Sequence, residues 1–237
     1  MHRPDHPPSR AQQGFTIVEM SVVLVVIALI IGAVSVGRDV YRSAVAERIG
    51  SEFVQGWMIA YDRYVQQSGG VPEDSLANPS GRVNNALEQP LCRNELRDAM
   101  LQRGVALPQG RAEGMETRYV YQDSRGNPQE LEICFLNVGN WAEPAPGTSY
   151  TGRPRNVMRL AGLTPELANQ LDARIDGRID ARFGRMRELN RHGDTSAIGS
   201  PPSANPWSRS DIDNHGGGNS DPDAQVAVMT AYIRMNQ

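Results

Sequence analysis

Hydrophobic and polar positions divide this chain into regimes with different periodicities. From Met20 to Gly37, 18 consecutive residues carry no charge, and only Ser21 and Ser35 are polar. As a helix that run spans about 27 Å, close to the hydrocarbon thickness of a bilayer. Behind it Val45, Ile49, Phe53, Trp57, Tyr61 and Tyr64 recur at steps of four and then three, the signature of one stripe of an amphipathic helix. No proline occurs between Phe15 and Pro72, so a single helix from Phe15 to about Gln67 is permitted; its 53 residues would reach about 80 Å. Such a stripe must bury itself on something, and a sheet is the expected receiver.

The pattern then changes. Gly69-Gly70-Val71-Pro72 breaks the helix. A short helix is predicted from Asn94 to Arg103, with Asn94 as cap, Leu96 and Met100 on one face and Gly104 as terminator. Thr117–Gln122 and Glu130–Leu136 alternate around the turn residues Asp123–Pro128, which predicts a hairpin with Leu131, Ile133 and Phe135 facing the core. Thr164 and Pro165 open another helix carrying Leu167, Leu171 and Ile175. It runs into a repeated unit, Asp172-Ala-Arg-Ile, Asp176-Gly-Arg-Ile, Asp180-Ala-Arg-Phe. That spacing reads as a solvated, salt-bridged face, with a metal or subunit-contact role as the alternative. Residues 193–223 contain 23 Gly, Pro, Ser, Asn or Asp among 31 positions, so a long irregular loop is expected there. Val226, Val228, Tyr232 and Met235 then fit a late strand.

Composition sharpens this picture. All 24 basic residues are arginine, which removes P-loop, Schiff-base and lysine general-base chemistry. A net charge of −3, with no basic block, gives no direct nucleic-acid signal. The mean hydropathy of −0.47 is an average over a strongly apolar segment and a polar remainder. Two histidines beyond residue 14, with no cysteine at metal spacing and no nucleophile motif, argue against an enzyme, so no catalytic residue is assigned.

Three readings compete for the N-terminus. A signal peptide has a core of about 7–15 residues, and both the length of this run and Glu19 count against it. A plain membrane anchor fits the length but leaves Glu19, a costly residue in a membrane, unexplained. The third rests on Gly14-Phe15-Thr16-Ile17-Val18-Glu19 behind a polar leader and ahead of the apolar run. This stretch resembles the cleavage and methylation motif of type IV prepilins and type II secretion pseudopilins. Tyr64 and the Gly69–Asp74 junction are similar to a pattern in some prepilin heads, with Glu73 in place of a glycine. Asp172–Gly177 is likewise similar to a stretch of such heads, with Gly177 where a second Asp would stand.

The resemblance implies an α+β, type IV pilin-like fold: a long N-terminal helix packed on a small antiparallel sheet, with a loop-rich C-terminal region. It implies a leader, 1–14; a long helix, 15–68, with 15–37 as transmembrane and filament core and 38–68 amphipathic; and a periplasmic or extracellular head, 69–237. A prepilin peptidase would cut between Gly14 and Phe15, Phe15 would be N-methylated, and Glu19 would guide assembly. Expected partners are that peptidase, other pilin or pseudopilin subunits, an inner-membrane assembly platform and membrane lipid. The protein would be a single-pass inner-membrane subunit with its head in the periplasm and would then join a pilus or pseudopilus. A membrane-anchored periplasmic binding module that never polymerises is the alternative.

Cys92 and Cys134 are the only cysteines, and export of the head would favour their pairing over free thiols. No cofactor is expected, with calcium as the one candidate that the resemblance implies: some pseudopilins hold it in a late loop, and Asp211, Asp213, Asp221 and Asp223 are the acids available for it here. An EF-hand pattern fails, because Pro222 stands where its bidentate Glu would be and His215 replaces an oxygen ligand.

Overall fold

The computed structural model describes residues 14–110, 115–198, 204–217, 221 and 223–236. The leader positions before Gly14, including Arg3 and Arg10, lie outside the described residues, as do parts of the 193–223 loop. The chain separates into two compact units, Met1–Ser43 and Ala44–Gln237.

The described part of the first unit is helical from Ile17 onward. Helix α1 (Ile17–Arg48) runs through Gly32 and Gly37 without interruption. Its apolar side chains are exposed, from Ile17 through Val40. With 18 uncharged residues it is long and apolar enough to cross a membrane.

The second unit is α+β. Its helical stripe does not continue as plain α-helix: Ile49–Val54 forms a π-helical stretch before α2 (Gln55–Ser68). Apolar residues four apart drift by about 40° per step on an α-helix, so the stripe from Val45 to Tyr61 would wind away from a flat partner. The wider π turn takes up that drift. Ile49, Phe53, Trp57 and Tyr61 are consequently all fully buried on one face. Gly50 in this stretch lets another helix close in: a Cβ there would meet Leu171 Cδ2 at 3.2 Å and Arg174 Cδ at 3.3 Å.

The receiver is one antiparallel sheet. Strands β1 (Leu91–Cys92), β2 (Arg118–Gln122), β3 (Pro128–Pro144), β4 (Tyr150–Leu163), β5 (Met186–Glu188) and β6 (Met229–Arg234) take the order β1-β3-β4-β6-β5. β2 shares with β1 the side of β3 away from β4, pairing Tyr119 with Leu131 while β1 pairs Cys92 with Cys134. Leu131, Ile133 and Phe135 alternate into the helix-facing core. There Trp57 and Tyr61 meet the Phe135 ring at 6.1 and 5.0 Å, and Phe53 meets Tyr119 at 5.3 Å. Removing one such aromatic costs about 3–5 kcal/mol.

Two bulges steer side chains between the faces. A register shift between Val138 and Trp141 puts Trp141 with Leu136, Val138, Val157 and Tyr232 on the opposite face. There the Arg187 guanidinium lies 4.3 Å from the Trp141 ring. A second shift, at Gly162 (φ +87°), returns Leu163 to the helix-facing core.

Several expectations need correction. The short helix is α3 (Arg93–Gln102), which begins before Asn94; Cys92 occupies its cap and makes no side-chain capping bond. Strands β1, β4 and β5 stand where the sequence pattern predicts no strand. Helix α4 (Pro165–Asp176) is capped by Thr164 Oγ1, which accepts from Leu167 N at 3.4 Å, but it stops at Gly177 (φ +75°). The three-unit Asp pattern is therefore not one charged helix face. Asp172 points into the core, and the Asp176 and Asp180 carboxylates accept from backbone N–H groups of residues 182–186. At the α2 junction Glu73, which departs from the glycine of the prepilin pattern, sits at φ +57°, a conformation glycine adopts without steric cost.

Candidate processing and assembly site

The start of α1 is built from two adjacent turns of sequence. Thr16 is its cap: the Met20 N–H donates to Thr16 O at 3.2 Å, closing the first turn. The Glu19 N–H donates to Thr16 Oγ1 at 3.2 Å. In return Glu19 Oε2 accepts from the Thr16 backbone N–H and hydroxyl, both at 2.8 Å. This is a reciprocal capping box, in which orphan donors at a helix start are satisfied by side chains of the same turn. The carboxylate also lies at the positive end of the helix dipole. The signal is readable as Thr-x-x-Glu ahead of an apolar run, so Thr16 joins Gly14, Phe15 and Glu19 as a residue with a role at this turn.

Just before the box, Phe15 is 81% exposed. No described atom lies within 4 Å of where a Gly14 Cβ would sit. Nothing in the chain's own described packing thus demands glycine at position 14. Gly14 and Phe15 immediately precede the Thr16–Glu19 box in the chain and lie outside the helix.

In the head, Cys92 and Cys134 are joined by a disulfide. It ties β1 to the middle of β3, and the Arg159 guanidinium lies 3.1 Å from Cys134 Sγ. The four acids considered for calcium are not arranged around a common point. Asp213 Oδ2 accepts from Ser210 N at 2.7 Å and from Ser210 Oγ at 3.2 Å, and these bonds hold its carboxyl below the ordinary range. Asp221 Oδ1 accepts from Asp223 N at 3.0 Å. Among the described residues no three His, Cys, Asp or Glu side chains are grouped as metal ligands.

What the loop surrounds instead is the β2–β3 turn. Asp123 is buried there. Its Oδ1 accepts from Arg125 N and Asn127 N, and its Oδ2 from Gln129 Nε2 and Val226 N, all between 2.8 and 3.1 Å. Burial alone would raise the pKa of this carboxyl; the hydrogen bonds outweigh that effect and hold it below the usual range. Asp123 and Arg125 carry no functional signal in sequence, since key partners of each are main-chain groups about 90 residues away or more.

Comparison with curated proteins gives no match, and neither does comparison with solved structures. A family model does match, across residues 9–35, the span that holds Gly14, Phe15, the capping box and the start of the exposed apolar helix. The chain carries the prokaryotic N-terminal methylation motif, the prepilin-type cleavage and methylation signal of type IV pilins and pseudopilins.

Proposed function

We propose that this protein is a minor pilin or pseudopilin, cut by a prepilin peptidase between Gly14 and Phe15 and assembled into a type IV pilus or type II secretion pseudopilus. The observation that carries the reading is the capping box at the head of an exposed apolar helix, one residue behind the Gly14–Phe15 bond. The motif and the apolar helix mark a single-pass inner-membrane anchor of a pilin-like protein. The periplasmic head, the methylated Phe15 and the filament are the further steps proposed here.

The proposed mechanism uses what lies on that turn. Gly14 is free of packing demands within the chain, so its requirement would come from the peptidase, for which a side chain at the cleaved carbonyl is an obstruction. Cleavage frees the Phe15 amine directly beside Thr16. Glu19 then pairs with that amine, its own or a neighbour's, and the pair neutralises a carboxylate that is expensive in hydrocarbon. Subunit register follows from the pairing.

Mass spectrometry of the mature protein tests this reading. An N-methylated Phe15 terminus supports it, whereas an intact Met1 or a cut before Val36 supports a non-polymerising membrane-anchored module or a signal peptide. Gly14→Leu is expected to leave full-length precursor on a blot, and normal processing would refute the cleavage assignment. Glu19→Ala is expected to be processed yet to stay out of filaments.

A further inference from the structure

The β2–β3 turn and the late loop meet around a single side chain. The Arg125 guanidinium accounts for five contacts there. Its Nη1 donates to Asn214 Oδ1, to Asp221 O at 3.1 Å and to Ala224 O at 2.8 Å. Its Nη2 donates to Asp211 O at 3.2 Å and to Ile212 O at 3.1 Å. Four of the five acceptors are main-chain carbonyls, drawn from residues 211–212 and from Asp221 and Ala224. Around this centre Asn127 Nδ2 donates to Asp223 O at 3.1 Å, Gln225 Nε2 donates to Pro128 O, and Val226 pairs with Asn214 in an isolated bridge.

We propose that these oxygens form a guanidinium-binding site which the chain fills with its own Arg125, so that the late loop is ordered by an internal organic cation in place of a divalent metal ion. Three observations carry the assignment. The first is geometry. The acceptors divide between two nitrogens, two around Nη2 and three around Nη1, whose two hydrogens are therefore shared among them; calcium would gather six to eight oxygens at about 2.3–2.6 Å around one point. The second is charge. Four carbonyls and one amide are all neutral and suit a monovalent, delocalised cation. None of the five acceptors is a carboxylate, and the Asp213 and Asp221 carboxylates are engaged by backbone N–H groups of the loop. The third is preorganisation. The buried Asp123 carboxylate fixes the turn from beneath through the N–H groups of Arg125 and Asn127, while its other oxygen takes Val226 N, where the chain leaves the loop toward β6. The guanidinium and the carboxylate thus hold opposite sides of one hairpin turn to the same returning segment.

The consequence is a head whose late loop closes without any free ion, and which is specific for a guanidinium when the side chain is removed. Trypsin provides the readout, because the exposed Arg209 lies just ahead of the Arg125 acceptors. Full-length protein in detergent is digested and the rate of the cut after Arg209 is followed by mass spectrometry. The wild-type rate is expected to be unchanged by EDTA or by millimolar calcium. Arg125→Ala is expected to be cut at least about tenfold faster, as local opening governs access. Methylguanidinium, far below the molar range in which guanidinium denatures, is expected to restore most of the protection; equal ammonium is not. Arg125→Lys keeps the charge and most of the stem, so it is the arm least exposed to misfolding. With one nitrogen in place of two it should be cut at an intermediate rate, and Arg118→Ala, at the far end of β2, at the wild-type rate. Acceleration by EDTA that calcium reverses would overturn the proposal. So would wild-type rates in both Arg125 variants, or rescue of Arg125→Ala by ammonium and methylguanidinium alike.

Discussion

Replacing Asp172 by asparagine should make the head less sensitive to alkali. Asp172 is fully buried in α4. Its Oδ2 accepts from Asp180 N at 2.8 Å and from Trp207 Nε1 at 3.1 Å, while Oδ1 has no hydrogen-bond partner among the described residues. Burial, reinforced by the neighbouring Asp176 and Asp180 carboxylates, raises its pKa from 3.8 to about 7 against the pull of those two bonds. A carboxyl whose folded pKa is raised is easiest to accommodate when protonated. Its contribution is therefore fully favourable below the unfolded value, declines as the unfolded chain ionises, and is lost once pH passes the folded value. About three pH units at about 1.4 kcal/mol each put the ceiling of the loss near 4 kcal/mol. The asparagine side chain keeps an oxygen for Asp180 N and Trp207 and cannot ionise. Urea unfolding of wild type and Asp172→Asn at about pH 5 and about pH 8 measures the difference, and the stability gap in favour of asparagine should widen by up to a few kcal/mol at the higher pH. Parallel profiles for the two proteins would refute the reasoning, because the buried carboxyl would then not titrate in that window.

Two further outcomes follow from the head. Replacing Cys92 and Cys134 by alanine opens a loop of 42 residues. It should lower stability by about 4 kcal/mol on the chain-entropy account, and reductant should reproduce the shift in wild type but not in the variant. Gly162→Ala places a Cβ 2.0 Å from Glu130 O at φ +87°, in the bulge whose carbonyl accepts from Tyr121 Oη. A loss of more than about 2 kcal/mol in thermal or chemical unfolding is expected, against a small gain for Gly37→Ala, where the helix is open around the position.

Which parts of this protein are legible in its sequence depends on how local their causes are. The Leu131–Phe135 alternation and the Thr164-Pro165 helix start are short-range signals, and the structure places strand and helix there. The stripe from Val45 to Tyr61 is readable, but its steps of four conceal a π turn, since a period between helix types looks like an ordinary helix over a few turns. Gly177 ends α4 inside a pattern whose regular Asp spacing points to continuation; a glycine in the left-handed region terminates a helix more strongly than weak ion pairs extend it. β4 escapes because Arg153, Arg155 and Arg159 interrupt its apolar residues; their partners Glu143 and Glu132 sit on β3. The Gly14–Glu19 turn is legible because its six residues are consecutive. The Arg125 site is the opposite case, for carbonyl oxygens are present at every residue and leave no mark in sequence.

The position of β6 between β4 and β5 sets the order of events when the protein is made. Residues 229–234 are paired on both sides, so the sheet remains in two pieces until they have been synthesised. Until then Trp57, Tyr61 and the rest of the stripe face a half-built receiver. A chain stopped short of Met229 therefore loses an internal strand of the sheet instead of a dispensable edge. Such a chain would still carry the methylation motif and the long apolar helix.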